Sequence, residues 1–202
     1  MSAWISTISD EDASPELRAA LEVARTPHGT VDNVMRVHSH RPSTMHGHCT
    51  LYRAALHDPA NTLPTWLQEV ISSYVSVLNA CDYSYANHWK NAAHLIADPG
   101  RASEIEAALA TKCPEVAFEG AALALLRYAE KLTTTPGHME ESDVIALREE
   151  GLDDGQILCL NGKHEKSFSS FSLVLVVVLL VFVVVNKGEL KNVFKSAGLL
   201  WF

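Results

Sequence analysis

The middle of the 202-residue chain carries four side chains that can do chemistry together: a carboxylate, a thiol, a hydroxyl and an imidazole, at Glu69, Cys81, Ser84 and His88. If Cys81 begins a helix, its sulfur lies near unpaired backbone N–H groups and the positive end of the helix dipole, which both favour the thiolate. Ser84 then follows about one turn later, and His88 about two turns later, on the same helix face. The spacing therefore predicts a reactive cysteine near an imidazole.

Two predicted helices must bring Glu69 to this face. Residues 64–79 and 82–96 carry apolar residues three and four positions apart, and a short interruption separates them. A tight joint there folds the first helix back on the second, so that the Glu69 carboxylate approaches His88 and completes a proton relay to the thiol. The alternative is structural, with a small buried cysteine and an ordinary polar histidine.

The rest of the body also predicts helices. Prolines, caps and glycines separate segments with helical apolar spacing, over residues 15–25, 31–40, 45–56, 103–110, 114–132 and 142–150, and a last helix opens at 152–155. No alternating strand pattern occurs before residue 162. The sequence therefore predicts an all-α bundle over residues 1–161.

The sequence resembles the AhpD-like alkylhydroperoxidase and carboxymuconolactone decarboxylase family in the spacing of its four candidate residues. Three of these residues lie in the context N-x-C-x-Y-S-x-x-x-H, which starts at Asn79. More narrowly, it is similar to the peroxidase-related branch of that family. The wider similarity runs from about Val34 to Leu158 and includes residues 51–53, 131–133 and 147–152.

This resemblance implies an AhpD-like helical bundle and an oxidoreductase that reduces peroxides through a thiol. Such proteins usually assemble as homo-oligomers, and we expect a trimer or a hexamer for this chain. In these enzymes the residues that correspond to Glu69 and His88 move protons. A hydroperoxide substrate and an external thiol reductant are the implied partners. Nothing in the sequence indicates a haem, flavin, nicotinamide or other cofactor.

The sequence departs from the redox members of the family at Ser84, where they carry the second cysteine of a Cys-x-x-Cys pair. A serine cannot close a disulfide, so a peroxide that reacts with Cys81 leaves a sulfenic acid. An outside thiol, or one of the chain's other thiols, must then resolve it; these are Cys49, Cys113 and Cys159. Ser84 could instead donate a hydrogen bond to a Cys81 thiolate, and the peroxidase-related branch itself often carries serine at this place.

Two other functions stay open. A lactone decarboxylase or related proton-transfer enzyme could use His88 and Glu69 on the same fold without redox chemistry at Cys81. A non-catalytic oligomeric or membrane-tethered protein is favoured by Ser84 and by the C-terminal tail, and it predicts an unreactive thiol.

A second cluster of candidate ligands lies before the motif. Five possible metal ligands fall within twelve residues, at His38, His40, His46, His48 and Cys49, a density found in some zinc and copper sites. Histidines two positions apart diverge by about 200° on a helix, so the chain would have to bend to bring them together. A solvated polar face is the favoured interpretation, and no metal site is predicted.

Charge and cysteine content exclude several classes. The chain has 16 Lys+Arg and 24 Asp+Glu, a formal net charge of −8, which argues against a nucleic-acid partner because phosphate binding needs a basic surface. Four cysteines are too few for a disulfide scaffold, and the N-terminus lacks the pattern of an export signal or a mitochondrial transit peptide. We therefore expect a cytoplasmic protein.

Residues 162–202 are a different kind of sequence. They carry five Lys and two Glu, whereas residues 1–161 carry 11 basic and 22 acidic residues, and residues 173–185 are 13 consecutive apolar side chains. A membrane anchor is possible but not favoured, because 13 apolar residues fall short of the ~20 of a spanning helix. A buried strand or helix, and a segment from a retained intron or frame error, are the other interpretations.

Overall fold

The computed structural model describes residues 5–26 and 28–167, with side chains described up to residue 160. Over these residues the chain forms nine α-helices and no β-strand, which confirms the predicted all-α fold. The helices are α1 (Pro15–Ala24), α2 (Asn33–Arg36), α3 (Pro42–His57), α4 (Thr65–Leu78), α5 (Asp82–Ile96), α6 (Pro99–Ala110), α7 (Gly120–Thr134), α8 (Glu141–Glu149) and α9 (Asp154–Ser167). Short 3₁₀ helices occupy Val37–His40, Pro114–Val116 and Pro136–His138.

Helices α1 to α3 belong to a first compact unit that ends at Asp58. Ser14 caps α1, because its hydroxyl oxygen accepts a hydrogen bond from the Leu17 backbone N–H at 3.1 Å. Helix α1 packs on α3 through a small apolar core. The buried members of that core are Ala13, Leu17, Ala20, Leu21, Val31, Met35, Met45 and Cys49.

Helices α4 to α9 form the second unit, which begins at Pro59. Helix α4 contacts α5, α6, α7 and α9, and residues 67–76 of α4 are all buried. Large apolar side chains of this core are fully buried, among them Ile71, Tyr74, Ile105, Leu109, Leu125, Leu126, Leu147 and Leu160. Since each such side chain contributes about 1.5–3 kcal/mol by leaving water, the core holds α4 firmly in place.

Most predicted helices are confirmed within a few residues, and the exceptions have local causes. Helix α6 begins at Pro99, earlier than the predicted residue 103, because the Asp98 carboxylate caps it and accepts two backbone N–H bonds at 2.9 and 3.0 Å. The single helix predicted over 114–132 is wrong at its start. A 3₁₀ helix comes first, and α7 begins only at Gly120, where φ is +53°.

The first unit shows a similar refinement. The helix predicted over 31–40 is α2 followed directly by a 3₁₀ helix. Pro42, predicted as a break, is the first residue of α3, a position where its missing N–H costs no intrahelical hydrogen bond.

The predicted boundary after Asn161 falls inside α9, whose backbone continues to Ser167. Residues 173–185 and the membrane-anchor, buried-segment and intron interpretations of the tail lie outside the described residues. Among the helices that the structure describes, none combines the length and apolarity needed to span a bilayer.

Candidate active site

Helix α4 carries a polar stripe inside an otherwise apolar core. The stripe consists of Gln68, Glu69, Ser72, Ser73 and Ser76, all of which are buried. Each of the three serine hydroxyls has the carbonyl oxygen four residues earlier as a hydrogen-bond acceptor within reach, at distances from 2.7 to 3.0 Å. These bonds satisfy hydroxyls that burial would otherwise penalise, so the stripe places a polar surface within the core.

A tight turn joins α4 to α5 and reverses the chain. The Cys81 N–H donates to the Ser76 carbonyl oxygen at 2.9 Å, and the Ala80 N–H donates to the Val77 carbonyl oxygen at 3.1 Å. These are the two hydrogen bonds of a Schellman motif. Ala80 occupies the left-handed position of that motif, with φ of +50°, a conformation that costs a non-glycine residue roughly 1 kcal/mol.

Cys81 is therefore the residue that ends this motif and also the N-cap residue of α5, which confirms that it begins the second helix. Its side chain is half-buried and makes no capping hydrogen bond. The sulfur thus lies at the end of the helix where backbone N–H groups lack intrahelical acceptors and the dipole is positive.

Helix α5 turns one face inward along its length. Ser84, His88 and Ala92 are buried on that face, whereas Asp82, Tyr83, Ala86 and Asn87 are exposed. The predicted common face is confirmed for the hydroxyl and the imidazole, and the place of the thiol on that face stays a prediction.

Glu69 reaches from α4 to the same face. Its Oε2 atom lies 2.6 Å from His88 Nδ1, and the two residues are only 7% and 9% exposed. A carboxylate can only accept, so Nδ1 carries the proton of this bond and Nε2 is the ring nitrogen left to exchange a proton with a reacting group. The predicted fold-back of the helix pair is confirmed, and the catalytic role of the pair stays a prediction.

Ser84 has a partner that the sequence did not indicate. Its hydroxyl oxygen lies 2.9 Å from Ser76 Oγ, because the turn brings the end of α4 against the first turn of α5. A hydrogen bond from Ser84 to a Cys81 thiolate stays a prediction.

The other three cysteines differ in their surroundings, and no disulfide joins any of the four. Cys49 is buried beside Met35, with its Sγ donating to Met35 Sδ at 3.8 Å, and burial raises the pKa of its thiol. Cys113 and Cys159 are half-buried. Cys49 is therefore the least suited of the three to attack a sulfenic acid as a thiolate.

The histidine cluster of the first unit comes together only in part. His38 Nε2 lies 3.0 Å from His48 Nδ1, with the rings edge to face, and burial lowers the pKa of His38. His40 turns away and bonds the Ser6 hydroxyl through Nε2 at 3.1 Å. Over the described residues, no three His, Cys, Asp or Glu side chains are grouped so that they could hold a metal ion.

No protein-family model and no curated protein matches the sequence. Solved structures resemble the chain in three dimensions. An uncharacterized peroxidase-related protein from Silicibacter sp. TM1040 has a TM-score of 0.63 at 22% sequence identity, over 80% of this chain and 84% of that one. An AhpD-core, uncharacterized peroxidase-related protein from Ralstonia eutropha JMP134 has a TM-score of 0.66 at 20% identity, over 81% and 83%.

A third similar structure is a cysteine-to-alanine variant of the debrominase Bmp8 in complex with 2,3,4-tribromopyrrole. Its TM-score is 0.63 at 14% identity, over 91% of this chain and 98% of that one. The chain therefore has the all-α fold of the AhpD-like, peroxidase-related proteins. Within that fold the motif holds one thiol, at Cys81, and Ser84 follows about one turn later. Glu69 and His88 form a buried pair beside them.

Proposed function

We propose that the protein is a thiol-dependent peroxidase of the peroxiredoxin type, which reduces alkyl hydroperoxides at Cys81. The observation that supports this most is the buried contact of 2.6 Å between Glu69 and His88, on the helix face that begins with a half-buried N-cap cysteine. A carboxylate, an imidazole and a thiol in this order have the parts of a proton relay.

The first step needs a thiolate and a proton for the leaving oxygen. His88, held through Nδ1 by Glu69, takes the Cys81 proton at Nε2. The thiolate attacks the terminal oxygen of ROOH, the S–O bond forms as the O–O bond breaks, and the imidazolium returns the proton to the departing oxygen. The products are ROH and a Cys81 sulfenic acid.

The second step returns the cysteine to its reduced state. One external thiol condenses with the sulfenic acid, which releases water and leaves a mixed disulfide, and a second external thiol exchanges with that disulfide. The sum is one hydroperoxide and two thiols converted to one alcohol, one water and one disulfide. We favour an external reductant because Ser84 supplies no second thiol in the motif and Cys49 is buried beside Met35.

The test is the consumption of tert-butyl hydroperoxide by the full chain with dithiothreitol as reductant. Cys81→Ala is expected to reduce turnover to the uncatalysed rate. Cys113→Ala removes another half-buried thiol and is expected to retain turnover. Equal rates for the wild type and Cys81→Ala would reject the proposal.

A second candidate is thiol-dependent removal of bromine from an aromatic ring, and the fold similarity to a debrominase supports it. The Cys81 thiolate would take the halogen as an S–Br bond, the carbon would be protonated, and two external thiols would release bromide as they form a disulfide. Bromide release from 2,3,4-tribromopyrrole, dependent on Cys81 and in the absence of peroxide turnover, would favour this activity.

Proton-transfer chemistry on a lactone is the remaining alternative. It requires Glu69 and His88 but no redox change at sulfur, so Cys81→Ser would retain lactone turnover.

We also propose that the chain forms a homo-oligomer, a trimer or a hexamer, because α5 exposes the apolar side chains of Tyr83 and Leu95. Light scattering of the full chain tests it, and a monomer at micromolar concentration would rule it out.

A further inference from the structure

Ser76 is a buried serine of α4 whose hydroxyl hydrogen-bonds α5, the helix that carries the motif residues Ser84 and His88. It is fully buried and lies 2.9 Å from Ser84 Oγ. Its neighbours Ser72 and Ser73 bond to carbonyl oxygens of their own helix. Neither the reaction proposed above nor the packing of α4 against α5 requires a hydroxyl at residue 76, since alanine has nearly the same size.

A single proton limits what the Ser76 hydroxyl can do. It donates either to the Ser72 carbonyl oxygen at 2.7 Å or to Ser84 Oγ at 2.9 Å, because a hydroxyl has one proton. The Ser72 carbonyl already accepts the Ser76 backbone N–H within α4, so it does not need the hydroxyl. Ser84 is 9% exposed, and water has little access to it.

The direction of the Ser76–Ser84 bond decides where the Ser84 proton goes. When Ser76 donates, Ser84 accepts, and its own proton is available to a third group. When Ser84 donates, its proton is occupied and its oxygen can only accept from elsewhere. Rotation of two O–H bonds interconverts these arrangements, without movement of the oxygen atoms.

The group that this proton would serve is the Cys81 sulfur. Cys81 is the N-cap and Ser84 the third residue of α5, so the two residues lie about one turn apart at the start of the helix. A hydrogen bond between them needs the χ1 rotamer of the half-buried cysteine that turns its sulfur toward the Ser84 hydroxyl. A thiolate needs donors, and a hydroxyl that is itself accepting a hydrogen bond is a stronger donor.

We propose that Ser76 is a positioning residue for Cys81, which donates to Ser84 so that the Ser84 hydroxyl donates to the Cys81 thiolate. This inference rests on the proposed function, in which that thiolate is the nucleophile. Ser76 touches neither the sulfur nor a substrate, and it acts only through Ser84. The serine in the motif is then an active replacement for a second thiol, and its hydroxyl stabilises the anion.

The experiment is the rate of Cys81 alkylation by iodoacetamide against pH, in the full chain, with the modified peptide quantified by mass spectrometry so that the other cysteines do not contribute. The variants are Ser76→Ala, Ser84→Ala and the two together. Ser73→Ala is the matched control, since Ser73 is equally buried on α4 and its hydroxyl bonds the Glu69 carbonyl oxygen.

We expect Ser84→Ala to slow alkylation at neutral pH about tenfold and to move the profile to higher pH, because a hydrogen bond to a charged group is lost. Ser76→Ala should move it in the same direction with a loss of about threefold. The double variant should match Ser84→Ala alone, and Ser73→Ala should leave the profile unchanged.

Three outcomes would overturn the inference: a Ser76→Ala profile equal to that of Ser73→Ala, a shift to lower pH, or an undiminished Ser76→Ala effect when Ser84 is already alanine. Should Ser76→Ala not fold, Ser76→Cys replaces the hydroxyl by a weaker donor and is held to the same expectation. Loss of peroxide turnover is scored separately on Cys81→Ala, so a failed peroxidase assay and a failed Ser76–Ser84 coupling are distinct results.

Discussion

Replacing Glu69 by glutamine removes one charge from the buried pair and leaves its shape. The wild-type bond joins Glu69 Oε2 to His88 Nδ1 at 2.6 Å, with both residues nearly inaccessible to solvent. A hydrogen bond to a charged group contributes about 1.5–3 kcal/mol. In the proposed mechanism, the carboxylate supplies this stabilisation when His88 becomes an imidazolium, and the imidazolium protonates the leaving oxygen.

At about 1.4 kcal/mol for each factor of ten, Glu69→Gln is expected to lower kcat/KM for tert-butyl hydroperoxide by about 10- to 150-fold. The glutamine amide oxygen can still accept the Nδ1 proton, so the thermal midpoint should change little. Peroxide consumption with dithiothreitol and a thermal melt measure the two quantities on one sample.

Glu106→Gln is the control for this variant. Glu106 is exposed on α6 and accepts a hydrogen bond from the Tyr85 hydroxyl of α5 at 2.9 Å. Like Glu69, it is a carboxylate bonded to a side chain of α5, but it does not contact the buried face that carries His88. Its kcat/KM should stay within about twofold of wild type. If Glu69→Gln also stays within twofold while folded, or if Glu106→Gln falls as far, the relay is refuted.

Three further predictions concern stability. Leu126→Ala empties a fully buried site and should lower the free energy of unfolding in urea by about 2–5 kcal/mol. Leu95 is 44% exposed, so Leu95→Ala should lower it by less than about 0.5 kcal/mol. Equal losses for the two variants would contradict the described core. Asp98→Ala should cost about 1 kcal/mol through the lost cap of α6, and Asp98→Asn should retain most of that stability; a larger loss for Asn than for Ala would count against the cap. Burial, and then the bond to Glu130, raise the pKa of Tyr74 above its ordinary 10.0, so its stabilising contribution is present below pH 10 and lost as pH rises further. Tyr74→Phe should flatten the decline of the urea midpoint above about pH 10, and an unchanged decline would exclude this tyrosine as its cause.

Helix periodicity explains why the site was predictable. Ser84 and His88 share a face because residues four positions apart are neighbours on an α-helix, and this holds wherever the helix packs. The pairing of Glu69 with His88 needed one more condition, a joint short enough to fold α4 back on α5. The short break between the predicted helices 64–79 and 82–96 indicated such a joint.

The remaining features are details of backbone conformation and packing that the apolar spacing does not record. The joint closes as a Schellman motif with Ala80 in the left-handed position, where glycine is the usual signal. Ser76 looks in the sequence like any other serine of a buried helix, and only the geometry of the turn singles it out by bringing it to Ser84. The start of the helix predicted at 114–132 was wrong because apolar spacing alone does not reveal the positive φ of Gly120.

Trapping the product of the first step tests the peroxidase assignment most directly. The reduced full chain is treated with one equivalent of tert-butyl hydroperoxide in the presence of dimedone, and the peptides are mapped by mass spectrometry. The proposed chemistry predicts a dimedone adduct on Cys81, absent from Cys113 and Cys159 and strongly reduced in His88→Ala. No adduct on Cys81, or equal adducts on all three cysteines, would contradict it.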